Sequence, residues 1–324
     1  MKLVTFGDLN LDVCLDIPAF PQAGQDAVVD RLVLLPGGSA ANCAVAAARL
    51  GVAVTFIGIT GRDPLSRMLA EDLRASGVDT RHLRQSAHLP GIIIAVNEAS
   101  GERTFFSYRG ANALTEYGPL PPDLLAPGDV LHLSGYSLQS GHSRVTALAL
   151  IEQAGAVGAR VSLDPSFHFA GDQTASALLP HLAFIFPNQD EARLLTGIPD
   201  PQEAAARLRK AGVQTVVITL GAMGCYVDCQ DAQTLLPVYP VAHIADSVGA
   251  GDAFCGGFLA ATIYGLNAVD AAHVGQAVAA LVIGQAGGHQ GAPTLESLIA
   301  ADWLDGSVRT RLAGLIGRQS APRT

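Results

Sequence analysis

Short β-branched runs alternate with Ala- and Leu-rich amphipathic stretches along most of this chain, and that rhythm constrains the fold more than any other feature. Apolar runs at 2–7, 53–59, 130–133, 160–164, 183–186 and 215–220 have the length and composition of strands. Between and after them, 40–50, 64–76, 143–157, 190–196, 201–211, 251–264 and 269–285 carry helical spacing. Strands joined through helices build a parallel sheet covered on both faces. No repeat of fixed period competes with this reading. Two regions break the rhythm: 27–35, and the pair 91–96 and 103–108 around the turn Glu98-Ala99-Ser100-Gly101. They read as strands without crossover helices, the second region as a hairpin, and together as a small antiparallel β lid.

The expected class is therefore α/β: a three-layer α/β/α core with a mainly parallel sheet, one domain over 1–300, with lid strands from about 12–36 and 90–110. Residues 301–324 read as a C-terminal helix or tail. Of 324 residues, 49% are hydrophobic and only 15% charged, enough apolar material for one large core. The net charge of -9 argues against nucleic-acid and anionic-membrane partners, which need a basic field, and leaves a small molecule. No apolar run reaches the roughly 18–20 residues of a bilayer-spanning helix. The start, MKLVTFGDLNLDV, is interrupted at Asp8 and reads as a first core strand rather than a signal peptide. Five scattered cysteines suit a reducing cytoplasm; the Cys225/Cys229 pair reads as strand packing rather than a zinc site.

Ligands of open α/β sheets gather at the carboxyl ends of the strands, and the polar motifs fall in those loops. The most specific is Asp246-Ser247-Val248-Gly249-Ala250-Gly251-Asp252, which runs straight into the apolar helix beginning Ala253-Phe254-Cys255. Small residues at Gly249, Ala250 and Gly251 leave backbone N–H groups uncovered at a helix start, where orphan donors and the helix dipole favour an anion. Asp252 in the same turn can reach a hydroxyl attacking a phosphate held there. Taken alone, the segment is also a capped helix with a glycine-rich entry.

This segment resembles the carboxyl-terminal signature of the ribokinase-like, or PfkB, carbohydrate kinases. Gly37-Gly38-Ser39-Ala40-Ala41-Asn42 matches the same family's early GGxxxN element, in the expected order. The resemblance spans about residues 3 to 300. It implies a Rossmann-like sheet and an ATP-dependent kinase that transfers the γ-phosphoryl group to a hydroxyl of a monosaccharide or sugar-like substrate. Asp252 would be the catalytic base, and Gly249, Ala250 and Gly251 the anion hole.

For the sugar, the resemblance implies Asn10 and Asp12 after the first strand, Gly38, Ser39 and Asn42 of the glycine motif, and Arg109 in Tyr108-Arg109-Gly110-Ala111-Asn112. A carboxylate such as Asp12 suits two vicinal hydroxyls, although Asp8, Asn10 and Asp12 also favour a plain polar turn. Arg109 suits a carboxylate or phosphate, or simply solvent. For the nucleotide it implies Asn188 in Pro187-Asn188-Gln189-Asp190-Glu191, and Thr219, Gly221 and Gly224 of the TxGxxG segment. Glu191 would organise Mg2+, directly or through water, while Asn188 and Glu191 also have the spacing of a capping box. Asp246, with the loop 286–292, would hold a monovalent cation, K+, in the many relatives that use one. A homodimer paired through the lids is expected, since a small lid has a face to bury and edges to protect.

Two departures leave the substrate open. Ketodeoxygluconate kinases and fructokinases often carry an Arg soon after the Asp-Pro matching Asp164-Pro165, where this chain has Ser166-Phe167-His168. The stretch 131–136 lacks the Glu of a close ribokinase. A nucleoside kinase of the same family keeps every ATP motif and is the main alternative. A non-catalytic sugar-binding regulator would not need Asp252, and an NAD-dependent dehydrogenase would need a GxGxxG after the first strand, which is absent.

Overall fold

The computed structural model describes residues 1–319 apart from 115, 140, 173 and 302. In chain order its elements are β1 (Leu3–Phe6), β2 (Asn10–Ile17), β3 (Arg31–Gly37), α1 (Ser39–Arg49), β4 (Val54–Thr60), α2 (Pro64–Ala75), β5 (Leu83–Gln85), β6 (Gly91–Glu98) and β7 (Arg103–Tyr108). There follow α3 (Ala111–Leu114), β8 (Val130–Ser134), α4 (Gly141–Val157), β9 (Arg160–Asp164), α5 (Phe167–Ala170), β10 (Phe184–Ile185), α6 (Gln189–Thr196), α7 (Pro201–Lys210) and β11 (Thr215–Thr219). The last are β12 (Cys225–Cys229), β13 (Gln233–Leu236), α8 (Ala250–Ile263), α9 (Ala268–Val282), α10 (Leu295–Ala300) and α11 (Gly306–Gln319).

Nine strands form one sheet in the order β13-β12-β11-β10-β9-β8-β1-β4-β5. Every pairing from β11 to β5 is parallel, and β12 and β13 extend the sheet antiparallel. Alternation within each strand sets the layers. Leu3, Val54, Phe56, Phe184 and Val217 enter an apolar cluster with α1, α8 and α9. Their neighbours Val4, Phe6, Ile57, Ile185, Val216 and Ile218 enter a second cluster with α4, α6 and α7. Helix starts are set by capping: the Asp63 side chain accepts from Ser66 N ahead of Pro64, and Asp200 accepts from Gln202 and Glu203 N ahead of Pro201.

A second sheet has the order β3-β2-β6-β7. It corresponds to the expected lid, with two differences. The opening segment divides after Gly7: β1 stays in the large sheet, whereas Asn10 onward turns into the second one. The central pair β2–β6 is parallel, while β2–β3 and β6–β7 are antiparallel. The strand read over 27–35 begins only at Arg31, where pairing with Asp16 starts. The C-terminal segment is helical as α11, and its Val308 and Leu312 are buried in the same cluster as α8 and α9. Among the described residues no helix is long and apolar enough to cross a membrane.

The α8 face is the seam of the larger cluster. Phe258 lies edge-on to Phe184 and Phe186 at 5.7 and 5.0 Å between ring centres and is fully buried. Phe258→Ala is expected to lower unfolding free energy by about 3–5 kcal/mol in urea titrations; a loss below about 1 kcal/mol would mean the seam collapses around the vacancy and does not hold α8.

Candidate active site

Five parallel strands of the large sheet, β1, β8, β9, β10 and β11, deliver their carboxyl ends to one cleft of about 630 Å³. Asp8 follows β1, Ser134 ends β8, Asp164 ends β9, Asn188 follows β10 and Thr219 ends β11; all five line it. Ile93, Phe105 and Ser107 of the second sheet form the opposite wall. The cleft also takes in Asn10, Asp12, Gly38, Ser39, Asn42, Arg109, Glu191, Gly251 and Asp252, so segments far apart in the chain meet there.

Two glycine turns put α1 and α8 nose to nose at the cleft floor. Gly38 caps α1 with φ 107°, and a Cβ there would lie 2.3 Å from Asp8 O, so a side chain is excluded twice over. Gly249 caps α8 with φ 76°, and its Cβ would lie 2.2 Å from Gly288 O. The first rung of the α8 ladder is Ala253 N to Gly249 O at 2.8 Å, so the N–H groups of Gly251 and Asp252 precede it, at the positive end of the helix dipole. Ala250 N makes a long 3.4 Å turn contact to Ser247 O. Gly251, Asp252 and Val248 reach the cleft; Gly249 and Ala250 lie behind them in the same turn.

Asn42 joins the two helices: its Nδ2 donates to Asp252 Oδ2 at 2.8 Å. Withdrawal from water pushes the Asp252 carboxyl above its ordinary range, and hydrogen bonds from Asn42 and Ser39 pull it back. Burial, then the Asp252 and Asp246 charges, raise Asp12 to about 7. Burial likewise raises Asp164, with Asp252 and Glu191 adding to it. These carboxylates share one pocket, and each makes ionisation of the others harder.

The residues expected to face the sugar are built on long-range contacts. Asn112 Nδ2 donates to Asn10 Oδ1 at 2.8 Å and its Oδ1 accepts from Leu9 N, orienting Asn10 beside Asp12. Arg109 reaches the cleft already engaged: Nη2 meets the buried Asp8 Oδ1 at 2.8 Å, and Nη1 donates to Gln139 Oε1 at 2.9 Å and Tyr136 O at 3.2 Å. Burial raises Asp8, and the Arg109 charge offsets part of that rise. On the other side, Asn188 and Glu191 form a full capping box, with Glu191 N to Asn188 Oδ1 and Asn188 N to Glu191 Oε2 both at 2.9 Å. Burial nonetheless pushes Glu191 up to about 7. Thr219 bridges in parallel to Asn188 and lines the cleft; Gly221 and Gly224 shape the turn just beyond it, between β11 and β12. Asp246 lies outside the lining: its Oδ1 accepts from Val248 N at 3.1 Å and from Arg103 Nη1 at 3.3 Å, and its Oδ2 from Gly287 N at 3.3 Å.

The family model for "pfkB family carbohydrate kinase" matches residues 1–295. The chain belongs to this family. The family member is 30% identical to the ribokinase of Haemophilus influenzae, over 92% of this chain and 97% of that one. It is 31% identical to fructokinase-1 of Oryza sativa subsp. japonica, over 79% and 81%. Its fold matches a ribokinase crystal structure from Thermotoga maritima with a TM-score of 0.82 at 24% identity, over 93% and 98% of the two chains. This PfkB protein is an ATP-dependent carbohydrate kinase.

Several cleft residues of this kinase escaped the reading of its motifs. Asp164 ends a buried strand, and a carboxylate at a strand's carboxyl end was the signal available. The Asp8–Arg109 pair spans 101 residues and carries no local sequence mark.

The crowded carboxylates give the kinase a testable pH dependence. Asp12 and Glu191 have folded-state values of about 7, above the roughly 4 of an unfolded chain, so the stability tied to their neutral forms is present below about pH 4 and is lost as pH rises to about 7. The ligand-free melting temperature should fall from about pH 5 to about pH 8, and Asp12→Asn and Glu191→Gln should each flatten the slope. Equal slopes in wild type and both variants would refute the assignment.

Proposed function

We propose that this kinase phosphorylates a primary alcohol of a neutral monosaccharide-like substrate, with Asp252 as catalytic base. The observation that carries this is the Asp252 carboxylate, held by Asn42 at the start of α8 and facing the cleft that Asn10 and Asp12 also line. Asn10, Asp12, Gly38, Ser39 and Asn42 bind the sugar. Asp252 orients the acceptor hydroxyl and takes its proton as oxygen attacks the γ-phosphorus; the bond to the β-γ bridging oxygen breaks and ADP leaves. The helix-start amides of Gly249, Ala250 and Gly251 stabilise the charge that builds on the transferred group. Asn188, Thr219, Gly221 and Gly224 hold the nucleotide.

Mg2+ fits beside Glu191, whose carboxylate and that of Asp164 lie in mutual repulsion without a cation. Among the described residues no three His, Cys, Asp or Glu side chains converge as a metal cage, so Glu191 would share the ion with water and nucleotide oxygens. When bound, Mg2+ would offset negative charge on the phosphate being transferred. A K+ ion at Asp246 is also part of the proposal; it would share that carboxylate with Arg103.

A neutral substrate is favoured because Arg109, the arginine of the cleft lining, is already paired with Asp8, while Asp12, Asp164, Glu191 and Asp252 repel anions. The nucleoside reading is supported by Ile93 and Phe105 on the wall formed by the second sheet, which could face a base. An ATP-consumption screen over neutral sugars, sugar acids, sugar phosphates and nucleosides should give turnover on neutral sugars; turnover on nucleosides alone, or a preference for the acids or phosphates, would overturn it. With the best substrate, Asp252→Asn should lower kcat by at least about 10^2-fold while ATP still binds. A folded, ATP-binding variant within about threefold of wild type would rule out the base.

The second sheet acts as a lid and, in this proposal, pairs two copies of the chain in the cytoplasm. Val13, Leu34, Ile94 and Phe106 stand in cross-strand register on one face of it, and Leu34 and Phe106 are 44% and 52% exposed. A face this apolar is more stable covered. Sedimentation should give twice the chain mass at micromolar concentration and Phe106→Glu should halve it; a fully active monomeric wild type would reject the pairing.

A further inference from the structure

Two serine hydroxyls at the strand ends of the cleft have no hydrogen-bond partner. Ser134 ends β8 and Ser166 follows β9; they are 1% and 6% exposed, both line the cleft, and neither Oγ is bonded among the described residues. Ser66, Ser86, Ser137 and Ser162 are buried too, and each of those hydroxyls has a partner. Position makes the contrast sharper. Ser134 precedes the short turn Gly135–Leu138 and Ser166 precedes α5, where a serine ordinarily bonds back to a backbone N–H of the turn; here neither does. A buried hydroxyl left unpaired destabilises the free protein, so the reason for keeping both lies in what enters the cleft.

The fold brings these hydroxyls together and decides which part of a ligand they meet. Ser134 is the register partner of Asp164 on the neighbouring strand. The turns that follow are pressed together, since a Cβ on Gly135 would lie 2.6 Å from the Pro165 carbonyl carbon. In the sheet, β8 and β9 stand between β1 on one side and β10 and β11 on the other. Asn10 and Asp12, proposed for the sugar, come just after β1, whereas Asn188 and Thr219, proposed for the nucleotide, follow β10 and end β11. The ends of β8 and β9 are therefore where a phosphoryl group crosses from nucleotide to sugar. Other donors there are engaged: Ser39 and Asn42 are turned to Asp252, and Arg109 is held by Asp8.

We propose that Ser134 and Ser166 are catalytic hydrogen-bond donors to the phosphoryl group in transfer, acting from the strand ends while the α8 amides act from the helix start. This rests on the reading of the cleft as a kinase site with Asp252 as base. A serine has a single side-chain torsion, and a turn about it brings each oxygen from the packed strand ends to the cleft that its residue lines. Charge spreads over the three equatorial oxygens of the transferred group as its bond to the nucleotide loosens, so donors from two directions have separate oxygens to meet. Neither serine forms a covalent bond or gives up its proton. Each hydroxyl donates a hydrogen bond that strengthens as charge builds, which favours the transition state over bound substrate.

Ser134→Ala and Ser166→Ala remove the two hydroxyls, with Ser66→Ala on α2 as control. In the ligand-free protein each cleft variant should raise the melting temperature, because an unpaired polar atom leaves the interior, whereas Ser66→Ala breaks a bond to Asp63 and should lower it. The substrates are MgATP and the neutral sugar with the highest kcat/KM among D-ribose, D-fructose and D-glucose. Each cleft variant should lower kcat at least about tenfold and leave the KM of both substrates within about twofold. Independently of turnover, the sugar with MgADP and aluminium fluoride, a mimic of the phosphoryl group in transfer, should bind the wild type at least about tenfold more tightly than either variant, while MgADP alone binds all three equally. Equal affinity for the aluminium fluoride complex, a loss confined to the KM of the sugar, or a lowered melting temperature in the cleft variants would overturn the proposal. So would an unchanged kcat in both variants while Asp252→Asn is inactive, a result that leaves the base itself standing. An active Asp252→Asn would instead bring down the reading on which the proposal is built.

Discussion

The hydrogen bond between Asn42 and Asp252 joins residues 210 positions apart, and the geometry of the cleft depends on it. Both residues lie in the first turns of helices that enter from glycine-rich loops, α1 from the second sheet and α8 from the 246–249 turn. The helices then run packed on one another, with α9 on the far side of α8. A shift of either helix along the other would separate the carboxylate from the wall bearing Asn10 and Asp12. The Ala- and Gly-rich sequences of α1 and α8 follow from this requirement, because close backbone approach needs small side chains along the whole contact.

That packing has an electrostatic cost. Asp12, Asp164, Glu191 and Asp252 are withdrawn from water together, and burial raises every one of them above its usual range. A core built for stability alone would replace them with apolar residues of similar volume. Their retention at the carboxyl edge of a well-packed sheet is the signature of a site that meets polar and cationic groups when occupied. The apolar clusters on both faces of the sheet, from Leu3 and Phe56 on one side to Val4 and Ile57 on the other, supply the stability that tolerates this concentration of like charge.

How much of this was legible in the chain depended on whether the signal was local. Helix starts marked by Asp63-Pro64 and Asp200-Pro201, the capping box of Asn188 and Glu191, and the glycine entry to α8 are decided within four residues, and each could be read directly. The small sheet was legible as strands but not in its pairing, since nothing in β2 or β6 alone states that they run parallel. β5, with three residues, and the edge strand β13 are too short for periodicity to mark them. The Asp8–Arg109 and Asp72–His289 pairs join residues 101 and 217 positions apart, where motif spacing carries no information.

Arg109 shows the consequence for function. From the chain alone, an arginine at the end of a lid strand is a natural partner for an anionic substrate. In the fold its guanidinium is bounded by Asp8, Gln139 and the Tyr136 carbonyl, so an incoming anion would have to displace a buried carboxylate that has few other partners. Removing Arg109 would then act first on Asp8, leaving an unpaired acid beneath the wall that bears Asn10 and Asp12, and only indirectly on a ligand. The charge of a cleft residue thus says little about the ligand until its partner within the protein is known; here the partner turns a candidate anion receptor into part of the wall that holds the first strand's polar loop in place.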